Sequence, residues 1–292
     1  MITETNKKLI KTLKIEYDRL KVGKESLLQL LEEAELSELV YNSNAIENST
    51  LTLTETERIL LEQEVGRTVS VRELFETKNL ARVVEHLRTR PGIVLNQENI
   101  LLLHTMLIGG IDDSIAGRLR QPGEYVRVGT HVAPAPEQVD ELLTDLLLSF
   151  SANDDWYFVE NIAYFHVEFE RIHPFLDGNG RIGRVLLNTQ LQQAGYPPII
   201  IRNKSKHTEY YPRFNEYQHT NPATAKGMAK VVMRRLTESL HRRIAYLAGM
   251  NIIPLSMYAK DTNKPLNGLL NAAKRQTIPA FLERGIWKIG VQ

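Results

Sequence analysis

The sequence predicts a mainly α fold, with a small β element beside a glycine- and arginine-rich loop and a second one near the C-terminus. Three observations predict it. Apolar residues recur at helical spacing through most of the 292 residues. No proline occurs before Pro91, and helix interiors exclude proline. The stretches that interrupt the helical pattern, 117–136 and 278–289, carry β-prone residues between turn formers.

Taken in order, Leu9, Leu13, Leu20, Leu27 and Leu31 recur among Lys and Glu, predicting helix from Lys7 to about Tyr41. Thr54–Glu64, Val71–Arg88 and Asn96–Met106 fit amphipathic helices, the last preceded by the breaker Pro91–Gly92. The segment GRLRQPGEYVRVGTHVAPAP, 117–136, has proline-containing borders around the β-prone Tyr125–Val128, which predicts a short hairpin or extended flap. Helix resumes at Glu137–Phe150 and Val159–Ile172. Arg181–Ala194 reads as a helix closed by Gly195 and the Pro197–Pro198 pair, and Ala223–Ala248 as another. Near the end, Leu266–Arg275 reads as helix, and Ile278–Leu282 and Ile286–Ile289 flank the turn Glu283-Arg284-Gly285. The organisation expected is an N-terminal helical region, 1–95, a core, 96–248, and a small module, 249–292.

Composition bounds the function classes. A hydrophobic content of 42% and a charged content of 24% are those of a soluble globular protein. A net charge of +1 gives no overall nucleic-acid or membrane signal, although it can hide a local basic patch. The absence of cysteine excludes disulfides and thiolate metal sites. The charged N-terminus has no signal-peptide core, and no apolar run is long enough to cross a bilayer. The expectation is a cytoplasmic, soluble protein without a membrane partner.

The chemistry concentrates in HPFLDGNGRIGR, His173 to Arg184. Glycines allow positive φ and let a backbone approach a ligand closely. Gly178-Asn179-Gly180-Arg181 stands where a loop turns into a helix, whose first amides favour anions. Arg181 and Arg184 are three apart, so their guanidinium forks can clamp different phosphates of one nucleotide. Asp177 supplies a hard oxygen ligand of the kind magnesium takes, and His173 a base able to receive a hydroxyl proton. Singly, each of these is most often a turn, a surface histidine or a solvated arginine. Together in twelve residues they point to a nucleotide phosphate site. The string GNGRIG also matches the dinucleotide fingerprint, but helix precedes it and no βαβ alternation surrounds it. No Gly-Lys-Ser/Thr follows to make a P-loop.

HPFLDGNGRIGR resembles the full signature of the Fic (filamentation induced by cAMP) family, H-P-F-x-D/E-G-N-G-R-x-x-R. Gly117, Arg120, Val126, Val128, Gly129 and the following HVAPAP resemble that family's flap, and the likeness runs from about Leu36 to Tyr217. The resemblance implies a Fic-type helical core and an adenylyltransferase, which moves AMP from ATP to a Tyr, Thr or Ser hydroxyl of a target protein and releases pyrophosphate. It makes His173 the general base and Asp177 the magnesium ligand. Gly178, Asn179, Gly180 and Arg181 become the anion cradle, Arg184 the partner of the γ-phosphate, and Asn188, Tyr210 and Tyr211 neighbours of the adenosine end. The flap residues Val126, Arg127, Val128 and Gly129 would hold the target in extended form by main-chain pairing. In the related Doc toxin kinase a lysine replaces the second motif glycine, so Gly180 argues against a kinase. Transfer of a different phosphate-containing group stays open.

Ser43-Asn44-Ala45-Ile46-Glu47-Asn48 matches the family's inhibitory pattern S/T-x-x-x-E-G/N. If helical, Ser43 and Glu47 share a face. The resemblance implies that Ser43, Glu47 and Asn48 form a brake, with Glu47 pairing with Arg184 in competition with the γ-phosphate, and that the same glutamate can support removal of AMP. The module 249–292 resembles the winged helix-turn-helix units appended to some Fic proteins, with Lys274, Arg275, Arg284 and Lys288 as a modest basic face. A small helical cap that packs on the core or drives dimerisation stands level with it. A DNA-binding regulator is therefore the alternative function, and DNA and a second copy of the chain are the partners to test beside the target protein.

Overall fold

The computed structural model describes residues 2–90, 92–129, 131–152, 156–218 and 224–291. Pro91 of the expected breaker, Thr130 of the expected flap and Ala223 at an expected helix start lie outside the described residues. Helices dominate, as the sequence predicts. They are α1 Glu4–Lys21, α2 Glu25–Ile46, α3 Leu53–Leu60, α4 Val71–Arg88, α5 Gln97–Ile108, α6 Val139–Ala152, α7 Phe158–Ile172, α8 Asn179–Gln193, α9 Tyr211–Gln218, α10 Lys226–Leu247, α11 Leu255–Asp261 and α12 Leu266–Arg275. Among the described residues none is long and apolar enough to cross a membrane.

Local chemistry sets the boundaries. Thr3, Ser70 and Asn96 cap α1, α4 and α5 by accepting from the backbone amide three residues on. Thr52 and Glu55 cap α3 reciprocally. The helix expected over Lys7–Tyr41 is two helices. Gly23, at φ +72°, takes the left-handed conformation between α1 and α2 that apolar periodicity alone does not reveal.

The chain divides into two compact units. The first comprises Leu36–Gly195 and Ile200–Ala229. In it α7 packs on α6 and α8, and α4 on α5 and α8. Leu80, Val83, Leu103, Leu107, Phe165, Phe169, Phe175 and Ile182 form its fully buried core. Two short antiparallel strands, β1 Arg127–Val128 and β2 His131–Val132, make the flap, with Arg127 opposite Val132 and Val128 opposite His131. A π-helical turn, Lys206–Tyr210, runs into α9.

The second unit comprises Met1–Glu35, Tyr196–Ile199 and Lys230–Gln292. Its sheet has the order β3-β5-β4, from β3 Asn251–Pro254, β4 Ala280–Glu283 and β5 Ile286–Val291. The expected turn is shorter by one residue, because Glu283 closes β4: Arg284 and Gly285 both have positive φ, as a two-residue hairpin loop of this hand requires. β3 is additional to the expected hairpin. Its four residues end in Pro254 and pair along an edge, a pattern too short to read from sequence. Inside this unit Arg243, almost fully buried, donates to both carboxylate oxygens of Glu35 at 2.6 and 3.2 Å and to Ser239.

Candidate active site

All of 173–184 lies in the first unit, on the turn from α7 into α8. His173 caps the C-terminus of α7 with φ 51° and ψ 61°, a left-handed backbone uncommon outside glycine. Arg120, buried, fixes it there. Its Nε donates to His173 O at 2.8 Å, and its Nη2 to Ile172 O at 3.2 Å and Pro134 O at 2.9 Å, so flap and motif share one anchor. Burial pulls the His173 imidazole down to about 4. The ring is then neutral near pH 7, with Nδ1 3.3 Å from Glu170 O. A proton on Nδ1 leaves the Nε2 lone pair able to accept one.

The loop is closed by Asn179, whose Oδ1 accepts from Phe175 N at 2.9 Å and whose Nδ2 donates to Phe175 O at 2.8 Å. His104 braces it from α5. Its Nδ1 accepts from Gly117 N at 3.0 Å, so its Nε2 carries the proton donated to Asp177 O at 3.0 Å, and the ring stacks on Phe175. Burial pulls this imidazole, too, down to about 4. Gly178, φ +83°, is the N-cap of α8. The first amides of α8, at Asn179, Gly180 and Arg181, have no intrahelical acceptor and make an anion site.

Two charged clusters face that helix start. Arg181, almost fully buried, donates from Nη2 to Asp177 Oδ1 at 2.9 Å and reaches Glu76 from Nη1 at 3.1 Å. Arg72 pairs with Asp177 Oδ2 and, at 3.1 Å, with Glu76, closing a ring of four alternating charges. Burial opposes the Asp177 charge, but the two guanidinium groups hold its carboxyl below the usual range. Among the described residues no three His, Cys, Asp or Glu side chains are grouped to hold a metal. The Asp177 carboxylate is a hard oxygen donor of the kind magnesium takes, and it could supply one ligand to such an ion.

The second cluster surrounds Arg184, which is also buried. Its Nε donates to Ser43 Oγ at 3.0 Å, its Nη2 to Ser43 O at 2.9 Å, and Nη2 meets Glu47 Oε1 at 2.8 Å. Burial disfavours the guanidinium charge, but Glu47 and Tyr210 beside it more than offset this and hold it above its ordinary value. A Cβ on Gly180 would overlap the Glu47 carboxylate, which thus lies over the bare backbone at the start of α8.

The end of α2 explains how Glu47 is aimed. Asn48, φ +69°, donates to Ala45 O at 3.2 Å and Ser49 to Asn44 O at 3.1 Å, a Schellman closure in which Glu47 is the C-cap. The left-handed position accounts for the Gly or Asn in the inhibitory pattern, since those two residues tolerate it best. Lys206 Nζ donates to Ala45 O, Ile46 O and Asn48 Oδ1 at 3.0–3.1 Å, and Tyr211 Oη to Ile46 O at 2.9 Å.

Of the two tyrosines expected near adenosine, Tyr211 thus contacts the carbonyl end of α2. Tyr210 is buried, its hydroxyl 2.7 Å from His166 Nε2. Asn188 is half-buried on α8. Val126 O accepts from Ala133 N at 3.1 Å, Arg127 Nε donates to Gly129 O, and Val128 is exposed on the flap edge.

Sequence reasoning missed Arg72, Glu76, Glu170 and Lys206, and took Arg120 only as part of the flap. Glu170 is the least expected. Its Oε1 is buried without a hydrogen-bond partner, and burial pushes its carboxyl up to about 8. A Cβ on Gly183 would overlap it, so that glycine, at a variable position of the motif, makes room for a neutral acid beside Arg184.

Residues 94–191 match the Fic/DOC family. "Protein adenylyltransferase Fic" of Nematostella vectensis is 32% identical over 229 residues, covering 74% of this chain and 50% of that protein. The Aedes aegypti protein of the same name is 31% identical over 59% of this chain and 35% of its own. The chain thus spans half or less of the length of these curated relatives. A solved Fic-domain-containing signalling protein from Bacteroides thetaiotaomicron superposes with a TM-score of 0.74 at 26% identity, over 82% of this chain and 97% of that one. Fic-1 of C. elegans, residues 134–508, gives 0.67 at 26% identity, over 82% and 71%.

Proposed function

Because the chain carries a Fic/DOC family domain, we propose that it is a protein adenylyltransferase, transferring AMP from ATP to a Tyr, Thr or Ser hydroxyl of a target protein and restrained by Glu47. The observation that carries this reading is the one loop that joins a neutral His173, a helix start without a side-chain cap and two buried arginines.

In the proposed reaction the target oxygen bonds to the α-phosphorus, the bond from that phosphorus to the bridging oxygen breaks, and pyrophosphate leaves. His173 Nε2 takes the hydroxyl proton. The amides of Asn179, Gly180 and Arg181 and the Arg181 guanidinium receive phosphate oxygens, and Arg184 receives the γ-phosphate. Asp177 would hold magnesium, which would supply charge neutralisation on the phosphates. For that, Arg72 must leave Asp177 Oδ2. The exposed edge at Val128 supports main-chain docking of a target segment.

Glu47 occupies both anchors of the γ-phosphate at once, Arg184 and the backbone over Gly180. This supports autoinhibition by direct competition. The same carboxylate is 38% exposed in its side chain, which supports a second role, orienting water for removal of AMP.

Incubation of the full-length protein with labelled ATP and magnesium is the test. Label rises in Glu47→Gly and disappears in His173→Ala. Equal labelling of all three proteins would sink the reading, and label that follows another phosphate-containing donor but not ATP would redirect it.

A second reading rests on the connectivity β3-α11-α12-β4-β5 with strand order β3-β5-β4, which is that of a winged helix. Residues 255–292 carry six basic and two acidic side chains. On this reading the exposed Asn267, Asn271 and Lys274 of α12 meet DNA. Salt-insensitive, or absent, retention of duplex DNA by the full chain rejects it.

A further inference from the structure

Within the second unit, the start of α1, one face of α10 and the segment after α12 enclose a cavity of about 600 Å³. That is the size of sites that hold drug- or nucleotide-sized ligands. Its lining includes three cations, Lys230, Arg234 and Arg275, and no aspartate or glutamate. Lys230 and Arg275 are exposed and have no hydrogen-bond or ion-pair partner among the described residues. In a chain whose acidic and basic residues nearly balance, a cavity of one sign is a local departure.

Two further features point the same way. Thr3 and Thr5 line the cavity, which brings it to the N-terminus of α1, an 18-residue helix whose first amides lack intrahelical acceptors. His241, nine-tenths buried, lies deeper in the lining. Gln276 Nε2 donates to Ala273 O at 2.8 Å and to Ala280 O at 2.9 Å, so its Oε1 is an acceptor. His241 Nδ1, 2.9 Å from that oxygen, is therefore the donor, and the ring is the neutral tautomer with a bare Nε2. Burial, which pulls this imidazole below its ordinary value, keeps it so. Nε2 has no partner among the described residues, so an acceptor on a buried side chain is open to the cavity. Leu9 and Met233 supply apolar wall.

We propose that this cavity binds a phosphorylated small molecule of nucleotide size. Its phosphate sits among Lys230, Arg234, Arg275 and the start of α1, and an amino or hydroxyl group donates to His241 Nε2. The site is separate from the Arg184 centre and does not depend on the activity proposed there.

The 2′,3′-dialdehyde of ATP tests it on the full-length protein. An adjacent lysine amine condenses with one aldehyde, losing water, and borohydride reduces the imine to a stable amine that peptide mapping locates. The expected result is labelling at Lys230, prevented by unmodified ATP. The protecting concentration rises about tenfold in Arg275→Ala, the loss of one charged anchor. It rises also in His241→Phe, which keeps the ring and loses the acceptor. Circular dichroism confirms that both variants fold. Lys230 left unlabelled, or protection unchanged in both variants, overturns the proposal. Protection by a 5′-phosphorylated oligonucleotide at lower concentration than by ATP overturns it too, assigning the surface to nucleic acid.

Discussion

Glu47→Gly removes the carboxylate that Arg184 holds at 2.8 Å, and glycine takes the helix C-cap without strain. A charge-assisted hydrogen bond contributes about 1.5–3 kcal/mol. Since 38% of the Glu47 side chain is exposed, screening reduces this to about 1–2 kcal/mol. A nucleotide that must displace Glu47 binds more weakly by that amount, so the glycine variant should bind ATP about 5–30-fold more tightly, at 1.4 kcal/mol per tenfold. Glu47→Gln, which keeps a neutral acceptor, should fall between. Titration calorimetry with magnesium and a non-hydrolysable ATP analogue measures all three. Equal affinity in wild type and the glycine variant would show that the γ-phosphate does not compete for Arg184, and the competition argument would be refuted.

Glu170→Gln tests the neutral acid. With a folded pKa of about 8 against an ordinary 4.5, this carboxyl stabilises the wild type fully below pH 4.5 and loses that contribution as pH rises through 8. The variant's unfolding free energy, measured in urea, should gain on the wild type's by on the order of a few kcal/mol between pH 4.5 and pH 8.5. Parallel curves would return Glu170 to an ordinary environment. With His173 depressed to about 4, AMP incorporation should hold its rate as pH falls from 8 to about 5. A half-point near 6.5 would mean the imidazole is solvated in the working enzyme. Asn48→Val should cost about 1–2 kcal/mol more than Asn48→Gly in urea unfolding, because both lose the Lys206 contact and only the first strains the left-handed position. Arg72→Ala, at a side chain 57% exposed, should change stability by less than about 1 kcal/mol. It should also tighten Mn²⁺ binding in the presence of an ATP analogue, read by electron paramagnetic resonance. Unaltered Mn²⁺ affinity would separate Arg72 from the metal carboxylate.

What was legible in the sequence follows the range of the forces involved. The helices of the first unit were readable because burial of one face imposes a 3.6-residue period, as in Val71–Arg88, found with the bounds it has in the structure. The flap was readable from β-prone residues between prolines. Gly23 was not, because one left-handed residue leaves the apolar spacing on either side intact. The 173–184 loop was legible as a motif, but its restraints were not. Arg72 meets Asp177 across 105 positions, and Lys206 meets Ala45 across 161. Neither arginine nor lysine carries a local pattern that announces such a partner. Glu170 left one trace, Gly183 at a variable motif position, and only the packing explains it.

The closed end of α2 has a thermodynamic consequence. Opening its last turn breaks the three Lys206 contacts and the Tyr211 bond. If the net cost is about 2–4 kcal/mol, the open form is populated in roughly one molecule in 30 to 1,000. On the proposed function, resting output is then the frequency with which a single helical turn frays. Substitutions at Lys206 or Tyr211 would reset this leak by shifting a local folding equilibrium, leaving every group that meets the α-phosphate unchanged. The enzyme's idle speed would be written in helix stability.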